Sequence, residues 1–125
     1  MKEIAEKLVR AEKEMSEEKG RFLLFALFLR EDAPDLWDLL VSANWIELDK
    51  GEALRYIVGK LKDVVEPKDL SKLSRIVIIE HTNPALGAIQ SAFNIEHGVA
   101  DVQSSSFFGL QIKHAYIITS RREVT

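Results

Sequence analysis

One segment of the sequence, RIVIIEHTNPALGAIQSAF at 75–93, constrains the fold more than any other. It begins with a strand whose Ile and Val side chains occupy both alternating faces, a pattern typical of a strand that is covered on both sides. A polar corner from Glu80 to Asn83 follows, and Pro84 suits the first turn of an amphipathic helix. The segment predicts a layered domain in which strand 75–80 is central and fully buried.

Length and composition fit one globular domain over residues 1–125. The chain is 46% hydrophobic and 30% charged, which argues against disorder. Its longest apolar run, 22–29, is far shorter than the ~20 residues that a membrane-spanning helix needs. The first twenty residues lack an apolar core typical of a signal peptide, so we expect a cytoplasmic location and no membrane association.

Cysteine content and charge narrow the possible chemistry. The sequence has no cysteine, which excludes disulfides, thiolate nucleophiles and cysteine-based metal sites. The formal net charge is −3, with 17 basic and 20 acidic residues. This balance offers no general attraction for nucleic acid, so we do not expect nucleic acid as a partner. No motif in the sequence predicts a cofactor.

Hydrophobic periodicity and breaker residues predict the helices and strands. Gly20 is expected to end the first helix, and Asp49 is expected to cap the second. Segment 36–43 can be read as a helix after Pro34, but apolar residues at strict period two favour a strand in a hairpin with 21–30. The predicted elements are helix 2–18, strand 21–30, strand 36–43, helix 49–64, a helical turn at 67–73, strand 75–80, helix 84–94, and strands 99–103 and 110–120.

The resulting order, α-β-β-α-β-α-β-β, predicts an α+β domain with α/β-like layering. We expect a mixed, mostly antiparallel sheet of about five strands with helices on both faces. The order of elements resembles that of the PD-(D/E)xK nucleases, and Pro34-Asp35 opens the second strand. The third strand offers Glu80 but no acid-x-Lys, so the metal and lysine chemistry of that family does not transfer.

Histidines and carboxylates in the last third of the chain are the candidate metal ligands. Imidazole and carboxylate together suit a mixed N/O metal site, although the spacing matches no ligand motif. The alternative is that these are ordinary surface residues. The candidate ligands are Glu80, His81, His97 and Asp101, with Glu96 and His114 nearby in sequence.

Thr82 and Asn83 form a candidate anion site. They precede a helix whose first amides lack helical partners and whose dipole favours negative charge. The same sequence is typical of a simple helix cap, and no Gly-rich loop accompanies it.

Four large aromatic residues are candidates for an interface, where aromatic side chains are enriched, although core packing is the favoured explanation because large aromatic residues also dominate cores. They are Trp37, Trp45, Phe107 and Phe108.

Because no catalytic constellation is present, the sequence favours a non-enzymatic binding or interaction module that pairs with itself, as a homodimer, or with a protein partner. The alternative hypothesis is a metal-dependent hydrolase or degenerate nuclease with its site at the corner 80–84.

Overall fold

The structure, a computed structural model, describes residues 1–32, 35–107 and 110–123, and it describes side chains outside 104–110. The elements confirm the predicted α+β class and add one short helix, α2, that the sequence did not predict. The helices are α1 Lys2–Lys19, α2 Asn44–Leu48, α3 Lys50–Val64, α4 Pro67–Leu70 and α5 Pro84–Ala92. The strands are β1 Leu24–Arg30, β2 Trp37–Ser42, β3 Leu73–Ile78, β4 Ala100–Phe107 and β5 Leu110–Ser120.

The described strands form one five-stranded mixed sheet in the order β3-β2-β1-β5-β4. β1 pairs antiparallel with β2 and β5, and β4 pairs antiparallel with β5. β3 runs parallel to β2. Segment 36–43 is therefore mainly a strand, as predicted, and its hairpin register joins Leu24 to Ser42 and Leu29 to Trp37.

The prediction that strand 75–80 is central and fully buried is wrong. β3 lies at one edge of the sheet, and its Ile76, Val77 and Ile78 are only half-buried. Apolar residues on both parities report that both faces of a strand are covered. They do not report whether another strand lies on each side of it. An edge strand and a central strand differ in backbone pairing, and both can have covered faces.

Two apolar clusters lie on opposite faces of the sheet, so the helices cover both faces as predicted. The larger cluster joins α1, α2 and α3 to one face, with Phe25, Leu39 and Ile118 at its base. The smaller cluster joins Leu86 and Ile89 of α5 to the other face. Among the described helices, none combines the length and the apolar composition that crossing a membrane requires.

Trp45 packs the short helix α2 against the core and the end of α1. β2 ends at Ser42, and Trp45 lies in α2, where its ring packs edge-on against Phe22 at 5.4 Å and Tyr56 at 5.9 Å. Its Nε1 donates a hydrogen bond of 2.9 Å to the carbonyl oxygen of Gly20. Gly20, which ends α1 as predicted, has φ 130° and would place a Cβ 3.2 Å from the Trp45 ring. The backbone conformation therefore favours glycine here, and a Cβ would also require the Trp45 ring to shift slightly.

Candidate functional site

The corner from Glu80 to Asn83 follows β3 and leads into α5. Asn83 Oδ1 accepts a hydrogen bond of 2.9 Å from the amide of Ala85, so Asn83 caps the helix. Thr82 is exposed beside it. The structure thus shows the capping role that the sequence left open, and the anion site stays a prediction.

Glu80 and His81, at the same corner, contact the α2–α3 segment. Glu80 forms a hydrogen-bonded ion pair with Lys50. The hydrogen bond and the positive charge of Lys50 both lower the pKa of the Glu80 carboxyl. His81 Nδ1 lies 2.8 Å from Glu47 Oε1, and the His81 amide donates to Glu47 Oε2 at 3.2 Å. Both side chains therefore hold the corner against the start of α3.

The other two candidate metal ligands lie in separate pairs. His97 Nδ1 contacts Glu12, and Asp101 Oδ1 lies 2.6 Å from His114 Nε2. The structure does not bring Glu80, His81, His97 and Asp101 together. Within the described residues, no group of three or more His, Asp or Glu side chains could hold a metal ion. The hydrolase hypothesis consequently has no assembled metal site in this part of the chain.

A contact between His97 and the buried carboxylate of Glu12 joins the segment before β4 to α1. Glu12 is fully buried in α1, and its carboxylate accepts hydrogen bonds from the hydroxyls of Thr119 at 2.8 Å and Ser16 at 3.3 Å. His97 Nδ1 lies 2.5 Å from Glu12 Oε2. A carboxylate only accepts hydrogen bonds, so Nδ1 carries the proton when Glu12 is ionised. Nε2 then lies on the side of Glu96, 3.9 Å from its carboxylate.

The sequence carries a signal for Glu12, although no motif includes it. The apolar stripe of α1 runs through Leu8, Ala11 and Met15, and Glu12 lies on it, four residues after Leu8 and three before Met15. An acidic residue on a buried stripe requires a polar partner from elsewhere in the fold. That partner, His97, has φ 56° and is held by a 3.2 Å hydrogen bond from its amide to Thr119 Oγ1.

Glu96 forms the outer part of this network. Arg21 binds its carboxylate in a bidentate manner, with Nε and one terminal nitrogen each 2.8 Å from an oxygen. Arg121 Nε lies 3.4 Å from Glu96, and burial lowers the pKa of the Arg121 guanidinium. The hydrogen bond from Arg21 lowers the pKa of Glu96. These contacts tie the end of α1 to the segment before β4, which is a structural role.

The lowered pKa of Glu96 predicts a pH-dependent contribution to stability. Because the pKa of the folded state lies below the ordinary value of 4.5, this contribution is present above that value and is lost as pH falls through the folded pKa. Glu96→Gln should lower the urea midpoint at about pH 6 and have a smaller effect at about pH 3. Glu66→Gln, at an exposed pair with Lys68, is the control and should change little at either pH. An effect of Glu96→Gln that stays constant across this range would contradict the prediction.

The two candidate interface tryptophans pack within the chain. Trp37 is 8% exposed and stacks on Tyr116 with ring centroids 5.5 Å apart, beside His114. Trp45 is half-buried against Phe22. The side chain of Phe107 and all of Phe108 lie outside what the structure describes. An interface role for the aromatic residues therefore stays a prediction.

An apolar groove of about 450 Å³ lies between α3, α4 and the edge strand β3. No sequence pattern marks this groove, because it is formed by segments that meet only in the fold. On α3, the core-facing residues Ala53, Ile57 and Leu61 are buried, whereas Leu54 and Val58 lie one position further round the helix and remain accessible. Val58 is 37% exposed. The residues that line the groove are Leu54, Val58, Leu61, Lys62, Leu70, Leu73, Ser74, Arg75 and Ile76.

A second cavity, of about 580 Å³, lies between the end of α1 and the start of α3. Its lining carries both signs of charge, including Lys19, Asp49 and Glu52, and several of its polar groups already have partners. The amide of Glu52 donates to Asp49, and Arg55 pairs with Glu52. This lining selects no particular ligand charge, so the apolar groove beside β3 is the stronger candidate for a binding surface.

No family model, no curated protein and no solved structure was found to match this chain.

Proposed function

We propose that this chain is a non-enzymatic protein-interaction module that binds its partner at the β3 edge and the adjoining groove. One observation carries the proposal: an edge strand that is apolar on both faces lies directly beside an accessible apolar groove. Monomeric proteins usually protect such edges, because exposed strand amides and apolar surface favour association. Because the chain has no cysteine, its fold needs no oxidising compartment, and we propose that the module acts in the cytoplasm.

The backbone of β3 supports strand addition. In a parallel ladder, alternate residues direct their amide and carbonyl groups to the neighbouring strand. The amide of Ile79 donates to the carbonyl of Val41 at 2.8 Å, so Val77 and Ile79 face β2. Ile76 and Ile78 therefore direct their backbone groups away from β2. Within the described residues β3 pairs only with β2, which leaves these groups available to an added strand.

The groove supplies the side-chain contacts that strand addition alone lacks. Backbone hydrogen bonds give affinity without sequence preference, whereas pockets beside the edge select side chains at alternate positions. Here the pocket is apolar, with Leu54, Val58 and Ile76 at its accessible surface and Lys62 at its rim. The expected ligand is an extended segment with apolar side chains on one face.

Selection from a displayed peptide library tests the proposal. Peptides that bind the wild-type chain should be enriched in alternating apolar residues, and Val58→Glu should weaken their binding at least about tenfold, because it places a charge in the groove. The matched control is Ala92→Glu, which adds the same charge at an exposed position on α5, on the opposite face of the sheet. Failure to enrich any peptide whose binding is sensitive to Val58→Glu would refute the proposal.

A further inference from the structure

We infer that the occupant of this surface is a second copy of the chain, paired through β3 across a two-fold axis. The inference rests on the proposed function and names its partner. A two-fold axis perpendicular to the sheet makes the two β3 strands antiparallel and joins the two five-stranded sheets edge to edge. Three features of β3 and α3 favour this occupant: the register of the strand, the position of the exposed helix stripe and the distribution of charge.

The sequence of β3 is self-complementary in one antiparallel register. With the axis at Val77, Ile76 of one copy lies opposite Ile78 of the other. Val77 of one copy lies opposite Val77 of the other. Ile76 and Ile78 share the face that carries α3, so four isoleucines from two copies meet there. Their backbone groups, which point away from β2, form the hydrogen-bonded pairs of the new ladder.

The accessible apolar residues of α3, Leu54 and Val58, are placed to fit the same two-fold axis. α3 runs antiparallel to β3, since Lys50 at its start pairs with Glu80 and Leu61 near its end lines the groove beside Leu73. Joining the β3 strands therefore brings the α3 helices of the two copies alongside each other. Leu54 and Val58 of each copy then face the groove of the other, which covers the apolar surface that the single chain exposes.

Charge favours the antiparallel orientation. The charged residues that line the groove are both cationic, Lys62 and Arg75, and lie towards the start of β3, whereas Glu80 follows its end. The two-fold register places Glu80 opposite Ser74 of the second copy, close to these cations. Arg75 and Glu80 already pair with Asp38 and Lys50 in the same chain. Their main contribution is consequently to orientation rather than to affinity.

Sedimentation velocity across a range of micromolar concentrations gives the first test. The wild-type chain should sediment as a species of twice the single-chain mass of 14.2 kDa. Val58→Glu should raise the dimer dissociation constant at least about tenfold, and the remote Ala92→Glu should leave it unchanged. A wild-type chain that remains at 14.2 kDa at several hundred micromolar overturns the inference.

Cross-linking tests the register independently of interface energetics. The chain has no cysteine, so a single introduced thiol can react only with its own copy. Val77→Cys lies on the axis in a non-hydrogen-bonded pair, where the ~4.5 Å Cα separation suits a disulfide. Ser74→Cys is the exposed control and would lie ~20 Å from its counterpart. Rapid oxidation of Val77→Cys alone supports the register, whereas equal rates for the two variants overturn it.

The two proposals fail in different ways. If displayed peptides bind at Val58 while the wild-type chain stays monomeric, the interaction module stands and the second copy is ruled out as its occupant. If the chain dimerises but Val58→Glu and Val77→Cys have no effect, another face mediates the dimer, and this inference fails. If the inference is correct, an enriched peptide should compete with self-association and convert the dimer to a monomer.

Discussion

Replacing His97 with alanine is expected to destabilise the fold by about 3–5 kcal/mol, because it leaves a buried carboxylate without its imidazole partner. Glu12 is fully buried, and in the variant only the hydroxyls of Thr119 and Ser16 would still donate to it. These two hydroxyls do not replace the hydrogen bond that the imidazole makes to the carboxylate. Urea unfolding at neutral pH, monitored by tryptophan fluorescence, measures the loss directly.

Two further variants test whether the loss of stability arises from the buried carboxylate of Glu12 or simply from removing a histidine. His81→Ala removes an exposed imidazole that contacts Glu47 at 2.8 Å, and it should cost no more than about 1 kcal/mol. Combining Glu12→Leu with His97→Ala should recover part of the stability, since the buried charge is then absent. If His97→Ala and His81→Ala prove equally mild, the Glu12 contact has no special role in stability.

Local signals explain which parts of the fold the sequence could predict. The hairpin of β1 and β2 follows from alternating side chains across a short connection, and Gly20 and Asp49 mark helix boundaries through their own backbone and capping chemistry. The capping role of Asn83 was also identifiable, because the cap involves only the next two residues. Each of these features depends on neighbours within a few residues along the chain.

The remaining features depend on which segments meet in three dimensions. Glu12 and His97 are 85 residues apart, and no spacing rule joins a carboxylate in the first helix to an imidazole before β4. The position of β3 at an edge depends on strand order, which the alternation of side chains does not encode. The groove depends on strand order as well, since it lies beside β3, where no described strand follows in the sheet.

The candidate metal ligands illustrate this limit. Each of the three histidines lies near a carboxylate, but the partners of His81 and His97 come from earlier elements, Glu47 in α2 and Glu12 in α1. His114 pairs with Asp101 across the β4–β5 ladder. Proximity in sequence therefore did not identify the hydrogen-bond partners of these two rings, although His97 Nε2 also lies 3.9 Å from the Glu96 carboxylate. A histidine and a carboxylate close in sequence converge on one ion only if the fold also turns both toward it.

A matched pair of core substitutions tests the edge position of β3. Ile118 in β5 and Ile78 in β3 both contact the cluster under α1 and α3, but Ile118 is fully buried in an interior strand and Ile78 is half-buried at the edge. Ile118→Ala should cost about 2–5 kcal/mol, and Ile78→Ala less than about half as much, because less apolar area and a smaller cavity are involved. Urea unfolding in the Val58→Glu background gives the comparison without a contribution from self-association. A larger loss for Ile78→Ala than for Ile118→Ala would place β3 inside the sheet, and both the strand-addition proposal and the two-fold register would then lose their basis.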